Sequence, residues 1–106
     1  MLSSETIREA VNRIVAVARP SKVILFGSYA RGDADEGSDL DLMVVEPEVK
    51  DRGEEMVRLY RTVGFIGAGV DVLVYSEREI ERRGQVPGTA IYHALREGKV
   101  LYDAGA

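Results

Sequence analysis

A chain of 106 residues with 45% apolar and 30% charged side chains has room for one small domain of ordinary soluble character. Its formal charge is −4 with no strongly basic segment, which argues against long nucleic acid as a ligand, and the lack of cysteine excludes disulfides, thiolate metal sites and thiol nucleophiles. The N-terminus carries early acids, and no apolar run approaches the roughly 18 residues of a membrane span, so a soluble, intracellular protein is expected.

In chain order, residues 4–18 read as a helix with Ile7, Val11, Ile14, Val15 and Ala18 on one face and Ser3 or Ser4 as its cap. Arg19-Pro20-Ser21 ends it, because proline cannot continue the hydrogen-bond ladder. Lys22 to Phe26 is short and apolar, a buried strand that stops at Gly27-Ser28. Tyr29-Ala30-Arg31 predicts a short helical turn, and Gly32 to Ser38 a loop rich in acids and glycine. Asp39 to Glu46 is the second strand, closed by Pro47. Lys50 to Val63 is a helix with Met56, Leu59, Tyr60 and Val63 as its apolar stripe.

After a turn at Ile66-Gly67-Ala68-Gly69, Val70 to Tyr75 forms a third strand with one acid in it. Ser76-Glu77-Arg78-Glu79 has the form of a capping box and opens a short helix to about Arg83, ended by Gly84. A last helix runs from Ala90 to Glu97 and stops at Gly98, and Lys99 to Tyr102 is a final edge strand. The order α-β-β-α-β-α-α-β predicts an α+β fold over residues 1–106: a three-stranded core sheet, the edge strand beside it, and helices packed on it.

The chemistry concentrates between Gly27 and Leu42. Side chains alternate along a strand, so Asp39 and Asp41 point the same way, and two such carboxylates repel unless a cation sits between them. Oxygen ligands of this kind suit magnesium, which binds through one or two carboxylates and substrate phosphates. A D-x-D alone is more often a solvated acidic turn, but this one leads straight into a strand of buried residue types. Asp71 adds support. It lies between Val70 and Val72, with Leu73 and Tyr75 on its own face, where an unpaired carboxylate would be costly. With Asp39 and Asp41 it would complete a two-metal site.

Gly27 permits close backbone approach to a ligand, the following amides can meet phosphate oxygens, Ser28 adds a hydroxyl, and Arg31 a cationic fork. The pattern lacks the G-x-x-x-x-G-K of a Walker loop. The stretch from Asp33 fails as a calcium loop, with Val44 where the bidentate glutamate belongs. His93, alone on a helix, is expected to be a surface or packing residue. Tyr29 and Tyr60 could stack on a base but suit core or rim packing better.

These residues resemble the minimal nucleotidyltransferases of the DNA polymerase beta-like superfamily, whose signature is G-S, ten residues, D-x-D, and a third acid on a later strand. Here that is Gly27-Ser28, residues 29–38, Asp39-Leu40-Asp41, then Asp71. The resemblance implies that Asp39, Asp41 and Asp71 hold two Mg2+ ions, with Asp71 also helping an acceptor hydroxyl lose its proton. Gly27 and Ser28, with Arg31, would bind the triphosphate of ATP. The implied reaction transfers AMP and releases pyrophosphate. The stand-alone branch pairs with helical HEPN toxins, so the implied role is a cytoplasmic antitoxin that adds AMP to its partner, through a tyrosine in some cases. A non-catalytic module that neutralises the toxin by covering it is the alternative, and a small-molecule modifier would need an acceptor region absent from the pattern.

Overall fold

In the computed structural model, which describes residues 1–106, the chain runs α1 (Ser4–Ala18), β1 (Lys22–Phe26), α2 (Gly27–Arg31), β2 (Leu40–Glu46), α3 (Arg52–Val63), β3 (Val70–Ser76), α4 (Glu77–Arg83), α5 (Ala90–Glu97) and β4 (Lys99–Asp103). The strands form one mixed sheet in the order β3-β2-β1-β4. The strand β1 is antiparallel to both β2 and β4, whereas β2 and β3 are parallel, joined by the crossover through α3. This is the α+β architecture expected, with β4 at one edge of the sheet and β3 at the other.

Alternation along the strands sorts the core into two layers. Val23 and Leu25 of β1, Leu40, Leu42 and Val44 of β2, and Val72 and Val74 of β3 meet α1 and α3 through Val11, Ile14, Leu59 and Val63. On the opposite face Ile24, Met43 and Val45 are covered by Ile91 and Ala94 of α5, with Ile80 and Tyr75 beside them. That second cover reaches only part of the sheet. Beyond it lies the end of the face where β1 runs out and β2 and β3 begin.

Local signals account for most boundaries. Ser3 caps α1 by accepting from the Thr6 amide at 3.1 Å, and Arg19 closes the helix in the left-handed conformation. Ser76 and Glu79 form the capping box at both of its bonds. Strands β3 and β4 each run one residue past the sequence reading, to Ser76 and Asp103, and three element starts also differ from it. Helix α3 starts at Arg52, because Asp51 is taken up as its cap, accepting from Glu54 at 3.0 Å. Helix α2 begins at Gly27 itself, so the Gly-Ser pair is a helix start and not a separate turn. The third is β2, which begins at Leu40: the Leu40 amide bonds to the Gly69 carbonyl at 2.8 Å, leaving Asp39 just ahead of the strand. Tyr60 also leaves the apolar stripe assigned to it, being 56% exposed while Leu59 and Val63 are buried.

Candidate active site

Three neighbouring strands bring three residues into one row across the uncovered end of the sheet: Phe26 of β1 lies opposite Asp41 of β2, and Asp41 opposite Asp71 of β3. Asp41 is on the face of Met43 and Val45, and Asp71 on that of Leu73 and Tyr75, so both carboxylates rise from the same side. Their carboxylates are close enough to act on each other, by charge and, when Asp41 carries a proton, by a hydrogen bond. Burial first, then the Asp71 charge and that hydrogen bond, then the Asp39 charge, push the Asp41 pKa up to about 6, while Arg31 pulls the other way. An acid crowded by acids at this end of a sheet is a place where positive charge is wanted.

The backbone fixes the carboxylates from two sides. Gly27 has φ +71°, a left-handed conformation, and a β-carbon there would overlap the Asp41 carboxylate. Gly69, in the turn before β3, sits in the same relation to Asp39, and any side chain on it would strike that carboxylate. Sequence reasoning missed Gly69. Its position before an apolar strand marks a turn, but nothing in a one-dimensional pattern ties it to an acid thirty positions earlier.

Helix α2 places Gly27 and Ser28 at its first turn, directly beside Asp41. Phe26, the residue preceding it, contributes no side-chain acceptor, so the first amides of α2 have no cap. Arg31, at the other end of this one-and-a-half-turn helix, is exposed, with ion pairs to Asp33 at 3.3 Å and Glu97 at 3.8 Å. Its charge reaches Asp41. These six residues, Gly27, Ser28, Arg31, Asp39, Asp41 and Asp71, are therefore gathered around one end of the sheet.

Two expectations need correction. Asp71 is exposed, not enclosed in an apolar face, because only Val72 and Val74 of β3 turn towards the core while α4 and α5 stop short of the acid. The desolvation argument for it therefore falls, and its register with Asp41 takes that argument's place. Nor do the three aspartates converge into a closed cluster able to hold a metal ion by themselves. The oxygen-only donors and the crowded Asp41 still fit magnesium, which completes its shell with water and substrate phosphates. His93 is exposed on α5, edge-on to Tyr92 at 5.6 Å, and takes no part in the site. Tyr29 packs against the core and accepts a hydrogen bond from the Leu2 amide at 3.0 Å, as a rim residue would.

Sequence and fold place the chain among nucleotide-handling transferases. Residues 4–102 match the model of the nucleotidyltransferase domain, and the chain belongs to that family. It is a nucleotidyltransferase of the minimal kind. It is 32% identical over 105 residues, 96% of its own length and 100% of the relative's, to a Methanocaldococcus jannaschii protein named "Putative protein adenylyltransferase MJ0604". It is 34% identical to a solved "putative minimal nucleotidyltransferase", with a TM-score of 0.61 over 90% of this chain and 89% of the other. A toxin–antitoxin structure with AMP-PNP shares the fold at 19% identity, with a TM-score of 0.59 over 91% of this chain and 73% of that one.

Proposed function

We propose that this nucleotidyltransferase moves AMP from ATP, with Mg2+, onto a tyrosine hydroxyl of a helical HEPN-family toxin, acting in the cytoplasm as that toxin's antitoxin. The observation that carries the reading is the cross-strand pair Asp41–Asp71 beside the uncapped start of α2. The name of the Methanocaldococcus relative supports protein as acceptor, and the toxin–antitoxin structure of like fold supports the setting. No helix is long and apolar enough to cross a membrane.

Magnesium, held by Asp41 and Asp71 with Asp39 at the rim, would supply charge neutralisation for the phosphates and the in-line alignment of entering and leaving oxygens. The chain's own groups do the rest. The Gly27 and Ser28 amides and the Ser28 hydroxyl hold the β- and γ-phosphates. Arg31 adds positive charge on the same side, in competition with Asp33 and Glu97. Gly27, having no β-carbon, leaves the space that the Asp41 carboxylate occupies beside the start of α2. Asp71, exposed at the end of the row, accepts the acceptor's hydroxyl proton. The acceptor oxygen bonds to the α-phosphorus, the bond to the bridging oxygen breaks, and pyrophosphate leaves.

Intact-mass spectrometry of the HEPN partner after incubation with this chain, ATP and magnesium tests the reading. A gain of one or more AMP masses, absent with Asp41→Asn, is the expected result. A stable complex with no gain in mass would leave a toxin-covering module without transferase action on its partner.

A further inference from the structure

We infer that the acceptor protein docks in the cleft between the outer edge of β3 and helix α3, with Val57 and Tyr60 as specificity-determining contacts. The segment it accepts is extended, free of acids, and apolar beside its hydroxyl-bearing residue. The inference rests on the nucleotidyl transfer proposed above and adds where, and from what, the hydroxyl arrives.

In-line displacement puts the entering oxygen opposite the leaving pyrophosphate. Gly27 and Ser28, which would hold that pyrophosphate, lie on the β1 side of Asp41, whereas Asp71 lies on the β3 side. The acceptor must therefore come in over Asp71, from the open edge of the sheet. A cleft of about 540 Å3 opens there, running from Asp41 and Asp71 past Leu73 to Met56, Val57 and Tyr60 of α3. Its volume lies in the range of clefts that bury a small ligand or a short run of side chains. Val57 and Tyr60 are 49% and 56% exposed, apolar surface presented beside the two aspartates in a helix that buries Leu59 and Val63 and half-buries Met56.

Two further observations define the occupant. β3 pairs with β2 alone, so its outer backbone edge is free. Arg52 donates to the Val74 carbonyl at 3.0 Å and closes that edge at its far end, leaving the part beside Val70 and Val72 for an extended segment. The only charges lining the cleft are the two aspartates, so an acidic segment is repelled and an apolar or basic one is not.

The test measures AMP incorporation into the HEPN partner as a function of its concentration, and ATP affinity by calorimetry. The variants are Val57→Glu and Tyr60→Ala, with Val17→Ala on α1 as an exposed apolar control. Both cleft variants are expected to raise the acceptor KM by roughly tenfold or more, with kcat and ATP affinity within about twofold of wild type. Tyr60→Phe and the control keep the wild-type KM. An unchanged acceptor KM in both cleft variants overturns the inference and leaves the transferase reading standing. A loss of ATP affinity in Tyr60→Ala also overturns it, by placing the base in the cleft. No transfer by the wild-type chain sinks the transferase reading, and the docking inference with it.

Discussion

Gly27 and Gly69 hold the two aspartates of the D-x-D motif from opposite sides, but by different means. Gly27 is needed for its positive φ as well as for space. Gly27→Ala is therefore expected to cost at least about 1–2 kcal/mol of stability from backbone strain alone, and to abolish AMP transfer as Asp41 is displaced. Gly69 has an unstrained backbone and only its closeness to Asp39 at stake. Gly69→Ala should lower transfer while changing thermal stability less than Gly27→Ala does, and melting curves beside incorporation rates separate the two. Asp41→Asn removes a half-buried acid crowded by its neighbours, so the same assays should show transfer reduced by at least about a hundredfold with the melting temperature kept or raised.

At the scale of elements, the boundaries that the sequence made legible are those set by short-range chemistry. The Ser76-to-Glu79 capping box is one, and both its hydrogen bonds are formed, at 3.1 Å each. Ser76→Ala should cost about 1 kcal/mol, read as a lower melting temperature without loss of ATP binding. The nearness of Gly27 and Ser28 to Asp39 and Asp41 was legible for the same reason, since their spacing along one strand–loop–strand is a local property. What could not be read is which part of each sheet face has a helix over it. Asp71 alternates with valines exactly as a buried acid would in pattern, yet α4 and α5 end short of it. Tyr60 fits a helical stripe by spacing, but the edge position of β3 leaves nothing for it to pack on.

Over the whole molecule, the far end of β2 holds a second crowded acid that the sequence did not announce. Glu46 is 7% exposed, and its Oε2 lacks any partner unless it carries a proton towards Glu55. Burial, then Glu55, push its pKa up to about 8, while Glu55, gripped by Arg58 at 2.7 and 2.9 Å, is held below the usual range. In the unfolded chain Glu46 ionises near the ordinary glutamate value, so between that value and about 8 the folded state binds the extra proton. Its contribution to stability is present in acid and is lost as pH rises through that window. Glu46→Gln, which keeps a donor for Glu55 without an ionisable proton, should flatten the decline and melt several degrees above wild type at pH 8, each 1 kcal/mol being worth roughly 4–8 °C in a chain of this size. Melting temperatures of both proteins across the pH range check this.

The parallel pairing of β2 with β3 has a consequence for the protein's birth. Asp41 and Asp71 are thirty positions apart and meet only through that ladder. The antiparallel pair β1–β2 needs only α2 and the loop after it to close, but a parallel pair waits for its entire crossover. During translation the glycine, serine and first two acids leave the ribosome well before β3, and for that interval the nascent chain carries most of the motif without a working centre. The proposed centre is thus assembled only once the sheet has closed on its third strand.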